Sequence, residues 1–209
     1  AASTSGLTWV VDPIDGTVNY LYRLPIWAVS LAACVADADA ADGWRAVVGV
    51  VHAPMLNETY WAIEGRGAFV RSQGVDTPLR PRHESRLAHA LVTTGFGYEA
   101  RSRVVQGRTA AALLPQVRDL RRPGSAALDI CFVAAGRVDA YYERGKHAWD
   151  RAAGALIARE VGIQVAGPHG ATESYQLTIA DNPQLFPALH DALLAAGALV
   201  VPDDSVTQA

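Results

Sequence analysis

Cysteine is scarce in this chain, with only Cys34 and Cys131 among its 209 residues. Both stand in apolar runs and form no C-x-x-C pair, so buried, reduced thiols in a cytosolic protein are expected. An excess of positive charge is lacking too. The net charge is -3 and the pI near 6.1, which argues against general nucleic-acid binding, since that favours a basic face. Lysine is almost absent: Lys146 is the single exception among 18 basic residues that are otherwise Arg, and with abundant Ala this suggests a GC-rich genome. No apolar run reaches transmembrane length and no signal peptide is read, so a cytoplasmic protein without a membrane partner is expected. The chain also lacks a G-x-S-x-G elbow and a G-K-[ST] phosphate loop, the carriers of serine hydrolase and nucleoside-triphosphatase chemistry. No internal repeat or low-complexity linker appears.

What is present is a globular composition, half of it hydrophobic, long enough for one large domain or two small ones. Apolar runs at residues 7–11, 26–35, 46–52, 58–63 and 68–70, with turn signals between them, predict an antiparallel meander. From about Pro78 the character changes. Strands are expected at 90–94, 139–143 and 177–180, and helices at 102–119, 150–161 and 187–196. A further helix starts at Gly124-Ser125 with Ser125 as N-cap and stops at Gly136. Strands alternating with helices make this half α/β. Two parts are therefore expected, 1–80 with an antiparallel sheet and 81–209 of α/β character.

Several patterns invite chemistry that their spacing does not support. Asp37 to Gly43 lacks the alternation of a calcium loop and has Val48 where a bidentate Glu is needed, so a hairpin turn is expected. Gly95-Phe-Gly97-Tyr-Glu-Ala100 fits a dinucleotide fingerprint, but Asp119 is expected at the end of a helix, where the fingerprint needs the end of a second strand. His83-Glu84 and His89 miss the H-E-x-x-H spacing for zinc by two residues. Asn57-Glu58-Thr59 is a glycosylation sequon that matters only in a secreted protein.

The informative stretch is Asp12-Pro13-Ile14-Asp15-Gly16-Thr17. An apolar run delivers two carboxylates, hard oxygen ligands suited to Mg²⁺ or Mn²⁺, to a turn whose N–H groups suit a phosphate. By itself this is equally an ordinary Asx-type strand end. Asp150 likewise reads as a plain helix N-cap, although its carboxylate can cap a helix and still offer lone pairs to an ion. The small residues that follow, Ala152-Ala153-Gly154-Ala155, let that helix approach neighbouring backbone closely. Three carboxylates converging without a metal would repel one another, so such a site should bind cations or show raised pKa values. His147 is expected to be structural.

Asp12-Pro-Ile-Asp-Gly-Thr17 and Trp149-Asp-Arg-Ala-Ala-Gly154 resemble the two signature motifs of the inositol monophosphatase family, of the Mg²⁺-dependent, lithium-sensitive sugar phosphatase superfamily. Gly124-Ser-Ala-Ala127 and Asp139-Ala-Tyr-Tyr-Glu143 match between them, in the expected order. The resemblance implies a fold of alternating helix and sheet layers, α/β in the broad sense. It implies Asp12, Asp15, Asp150 and the Ile14 carbonyl as ligands of two or three Mg²⁺, with Mn²⁺ as a substitute. It places Gly16 and Thr17 on the phosphate, the Thr17 hydroxyl on the attacking water, and Glu143 with Gly124, Ser125, Ala126 and Ala127 on the polyol, where Asp15 also shares a hydroxyl. The activity implied is hydrolysis of a small polyol phosphate, foremost myo-inositol monophosphate. Glu143 favours a neutral polyol, while histidinol phosphate, a nucleotide-derived phosphate or fructose bisphosphate stay open, as does a non-catalytic, partner-binding role. A homodimer is implied as well. The family's N-terminal helices and Gly-Glu-Glu motif are not seen before Leu7, so a fragment of a longer protein, with apolar sheet surface exposed, is expected.

Overall fold

The computed structural model describes residues 5–40 and 42–200; parts of the polar lead, of the 37–43 turn and of the 81–209 unit lie outside the described residues. Six strands follow one another as the meander expected from the turn signals: β1 (Thr8–Asp15), β2 (Ala28–Ala36), β3 (Trp44–Ala53), β4 (Glu58–Ile63), β5 (Ala68–Ser72) and β6 (Val75–Pro78). All neighbours are antiparallel. β6 was not anticipated. Its Val-Asp-Thr-Pro is exposed throughout, so no apolar alternation marks it.

Alternation gives this sheet two unlike faces. On one, Val10, Ala32, Gly49, Ala62 and Ala68 lie in a cross-strand row of small, buried residues. On the other, Val11, Leu31, Val50, Trp61 and Phe69 form a row of large apolar side chains that stays partly exposed. The small residues admit a helix at close range. α4 (Ala148–Arg159) crosses that face against β1 to β5 and packs beside α3 (Ala126–Ala134). A Cβ on Gly49 would stand 2.8 Å from the Ala153 carbonyl oxygen, so helix and sheet touch backbone to backbone. α3 is buried nearly all round, which is why its sequence shows little amphipathic pattern.

The second sheet is mixed, in the order β10 (Gln164–Ala166), β11 (Thr178–Asp181), β9 (Ala140–Glu143), β7 (Leu91–Thr94), β8 (Asp119–Arg121). Tyr141 and Ala180 point into the core shared with α3, α4 and the first sheet. Ala140, Tyr142 and Ile179 point the opposite way, into a second core completed by Leu113 of α2 (Ala100–Leu113) and Leu189 of α5 (Phe186–Ala195). The layers are thus sheet, helices, sheet, helices. Cys34 and Cys131 are buried free thiols, as expected.

Two expectations need correction. The helix predicted over 102–119 ends at Leu113, because Pro115 cannot continue it and a 3₁₀ turn over Leu114–Gln116 follows. Asp119 is therefore not at a helix end. It is the first residue of β8, which runs parallel to β7 with Leu91 opposite Asp119. The Gly95 turn thus does open a strand–helix–strand crossover. Asp119, however, lies at the end of that unit away from Gly95, where a dinucleotide acid cannot serve. β10, three residues long, was too short to be read.

Candidate metal centre and cavity

Asp12 and Asp15 are three residues apart, and in a regular strand they would face opposite sides of the sheet. β1 is not regular there. Asp12 pairs with Ser30 and Asp15 with Ala28, so three steps on β1 oppose two on β2. The extra residue in the Pro13-Ile14 segment resets the alternation and turns both carboxylates to one side. Gly16 then takes φ +88°, and α1 (Thr17–Leu21) starts directly. Asn19 ties this turn to the Gly124 loop by donating to the Ile26 and Pro123 carbonyls at 2.6 and 2.8 Å.

Asp150 arrives from α4. It is not the N-cap but the third helical residue: His147 caps the helix, and Asp150 Oδ2 accepts from the His147 N–H at 2.7 Å. His147 stacks on Trp149 and tilts against Tyr175, with ring centroids 4.4 and 4.9 Å away. Carboxylate oxygens of Asp12, Asp15 and Asp150 lie within 4.8 Å of one another. Among the described residues, no other group of His, Cys, Asp or Glu closes in this way.

Each acid is tethered through one oxygen. Ile14 N–H donates to Asp12 Oδ1 at 3.0 Å. Ser125 Oγ and Ala127 N–H donate to Asp15 Oδ2 at 2.6 and 2.8 Å. Burial pushes the Asp15 carboxyl up to about 7; the Ser125 and Ala127 hydrogen bonds pull it down, and the charges of Asp150 and Asp12 push it up again. Asp12 is raised as well, by burial first, with its Ile14 hydrogen bond opposing and Asp150 adding to the rise. Crowded carboxylates that resist ionising together, with hard oxygen donors only, fit a divalent cation such as Mg²⁺ or Mn²⁺.

These acids open into a cavity of about 830 Å³. Its wall includes Ile14, Gly16, Thr17, Gly124, Ala126 and Glu143 from the sequence-based set, along with His147 and Trp149. The Thr17 hydroxyl donates to the Ile14 carbonyl at 2.9 Å. Ser125 and Ala127 do not reach the cavity. They are buried behind Asp15, where Ser125 also caps α3 by accepting from Leu128 N–H at 3.4 Å. The 95–99 turn, which carries the dinucleotide-like pattern, forms part of the wall beside Glu143. Lys146 was missed. Its ammonium lies 2.9 Å from Glu143 Oε1, and its rarity and its place between Glu143 and Asp150 were the signals that could have found it.

The inositol monophosphatase family profile matches residues 1–198. The chain belongs to the inositol monophosphatase family. Family relatives include the inositol-1-monophosphatase SuhB of Mycobacterium tuberculosis, 47% identical over 165 residues, covering 79% of this chain and 54% of that one. The Nus factor SuhB of Escherichia coli is 38% identical over 185 residues, covering 87% of this chain and 65% of that one. The solved structure of Mycobacterium tuberculosis SuhB superposes with a TM-score of 0.82 at 43% identity, over 93% of this chain and 74% of that one. The chain thus spans about half the length of the first of these relatives. Among the described residues, no helix of this family member is long and apolar enough to cross a membrane.

Proposed function

We propose that this protein hydrolyses the phosphate monoester of a small polyol in a Mg²⁺-dependent reaction, with myo-inositol monophosphate as the substrate. One observation carries the reading: Asp12, Asp15 and Asp150, from two stretches far apart in sequence, converge at a cavity that also holds Glu143. Asp12, Asp15, Asp150 and the Ile14 carbonyl would hold two or three divalent ions, which supply charge neutralisation and an activated water for in-line displacement at phosphorus. The Thr17 hydroxyl orients that water. Gly16 and Thr17 present N–H groups to the phosphate oxygens. Ser125 and Ala127 act through Asp15, fixing the oxygen they bond and leaving the other free. Gly124 and Ala126 line the polyol's part of the cavity together with Glu143, and Asp15 shares a substrate hydroxyl.

The test is phosphate release from inositol 1-phosphate by the full chain. It should require Mg²⁺, fall with Li⁺, and drop by roughly a hundredfold or more in Asp12→Asn and in Asp150→Asn. The absence of any Mg²⁺-dependent release from inositol 1-phosphate, fructose bisphosphate, histidinol phosphate and a nucleotide 3′-phosphate would leave the second reading. That reading, a partner-binding role, is favoured by relatives that are named Nus factors. A cytoplasmic homodimer is proposed with either, and so is a division of the chain near residue 80. The division is supported by the two sheets lying within 8–78 and 91–181.

A further inference from the structure

The cavity wall that carries the acids also carries a cation. Lys146, the only lysine of the chain, stands on the loop between β9 and α4, four residues before Asp150. Its ammonium is 2.9 Å from Glu143 Oε1, and 19% of its side chain is exposed. Glu143 is itself clamped. Tyr141 OH donates to its Oε2 at 3.1 Å, and bare Gly95 leaves it room, since a Cβ there would stand 2.3 Å from Oε1. The carboxylate thus serves as a fixed post for the ammonium. The arginines of the wall are placed differently: Arg144 donates to the Val200 carbonyl at 2.5 Å, and Arg122 is exposed. Burial opposes the charge on Lys146, but Glu143, Asp150 and Asp15 outweigh it and hold the ammonium protonated. Asp12, raised chiefly by burial, is lowered in part by the same ammonium.

We propose that Lys146 is a resident cation of the site that sets how tightly Asp12, Asp15 and Asp150 hold a divalent ion, with Glu143 as the tether that keeps its ammonium in range of them. The proposal rests on the reading that these three acids bind metal. A divalent ion entering the cluster meets the field of a positive charge already there. Even at a water-like dielectric, a unit charge a side chain away from such an ion weakens its binding by roughly tenfold. Lys146 therefore holds the site open to exchange, and its removal makes the cluster a stronger metal trap.

The experiment is Mn²⁺ binding to the full chain at fixed ionic strength, read by electron paramagnetic resonance of the free ion. Lys146→Met and Lys146→Gln should each lower the Mn²⁺ Kd about tenfold, while Lys146→Arg stays within about threefold of wild type. Thermal melts identify which variants are folded, and either neutral variant suffices. A folded neutral variant that binds Mn²⁺ no more tightly than wild type overturns the proposal while leaving the metal reading intact. A wild-type Kd unchanged by Asp12→Asn and by Asp150→Asn overturns the metal reading, and the role of Lys146 with it.

Discussion

Replacing Asp181 with Asn should flatten the stability of this protein against pH. Asp181 ends β11 with no exposed surface, and among the described residues neither of its carboxylate oxygens has a hydrogen-bond partner. Burial alone pushes its carboxyl from the ordinary value of 3.8 up to about 8. A folded-state value above the unfolded one means that the folded protein binds the extra proton between those limits. The stabilisation is therefore complete below about pH 4 and is lost as pH rises towards 8. The window spans about four units, and at about 1.4 kcal/mol per unit the loss has an upper bound of roughly 6 kcal/mol. That is comparable to the whole stability of a marginal domain. Asn cannot ionise, so the variant should lack this slope. Its buried amide adds a constant cost of about 1–3 kcal/mol that does not vary with pH. The assay is urea unfolding of both proteins at half-unit steps from pH 5 to 8.5, with the difference between the two curves as the readout. Other groups that titrate in both, Asp15 among them, cancel in that difference. Wild type should lose ground to the variant steadily with rising pH. Parallel curves would show that Asp181 does not titrate in this range and would refute the reasoning.

Two further outcomes follow from the packing around the acids. Ser125→Ala removes both the α3 cap and the 2.6 Å hydrogen bond to Asp15; unfolding free energy should fall by about 1–3 kcal/mol, measured by urea titration. Gly49→Ala places a methyl 2.8 Å from the Ala153 carbonyl oxygen, so α4 must shift. The melting temperature should drop, with a cost of about 1–3 kcal/mol, and Mn²⁺ binding should weaken because Asp150 rides on that helix.

The partly exposed row Val11, Leu31, Val50, Trp61 and Phe69 bears on how this chain behaves in solution. Large apolar side chains on an open sheet face favour association with another apolar surface. That face lies opposite the α4 side of the sheet. A surface that covers it therefore need not block the cavity.

Sequence alone determined the residue types and the local elements. The apolar runs up to residue 70 became strands of the meander, Ser125 capped α3 as its place after Gly124 implied, and the two acid motifs were recognisable by composition and order. Failures were local as well: the helix was carried past Pro115, and β6 and β10 have too few apolar residues or too short a span to leave a period. Only the tertiary structure decided how the acids face one another. The irregularity at Pro13-Ile14 turns Asp12 and Asp15 to one side. Ser125, 110 residues away, buries and fixes an oxygen of Asp15. Small residues on the first sheet let α4 bring Asp150 to the same point, and a clamped Glu143 holds Lys146 beside it. Propensity and motif act over a few residues, whereas charge and hydrogen bonding act over a few ångströms. Which groups lie that close is fixed only when the layers pack.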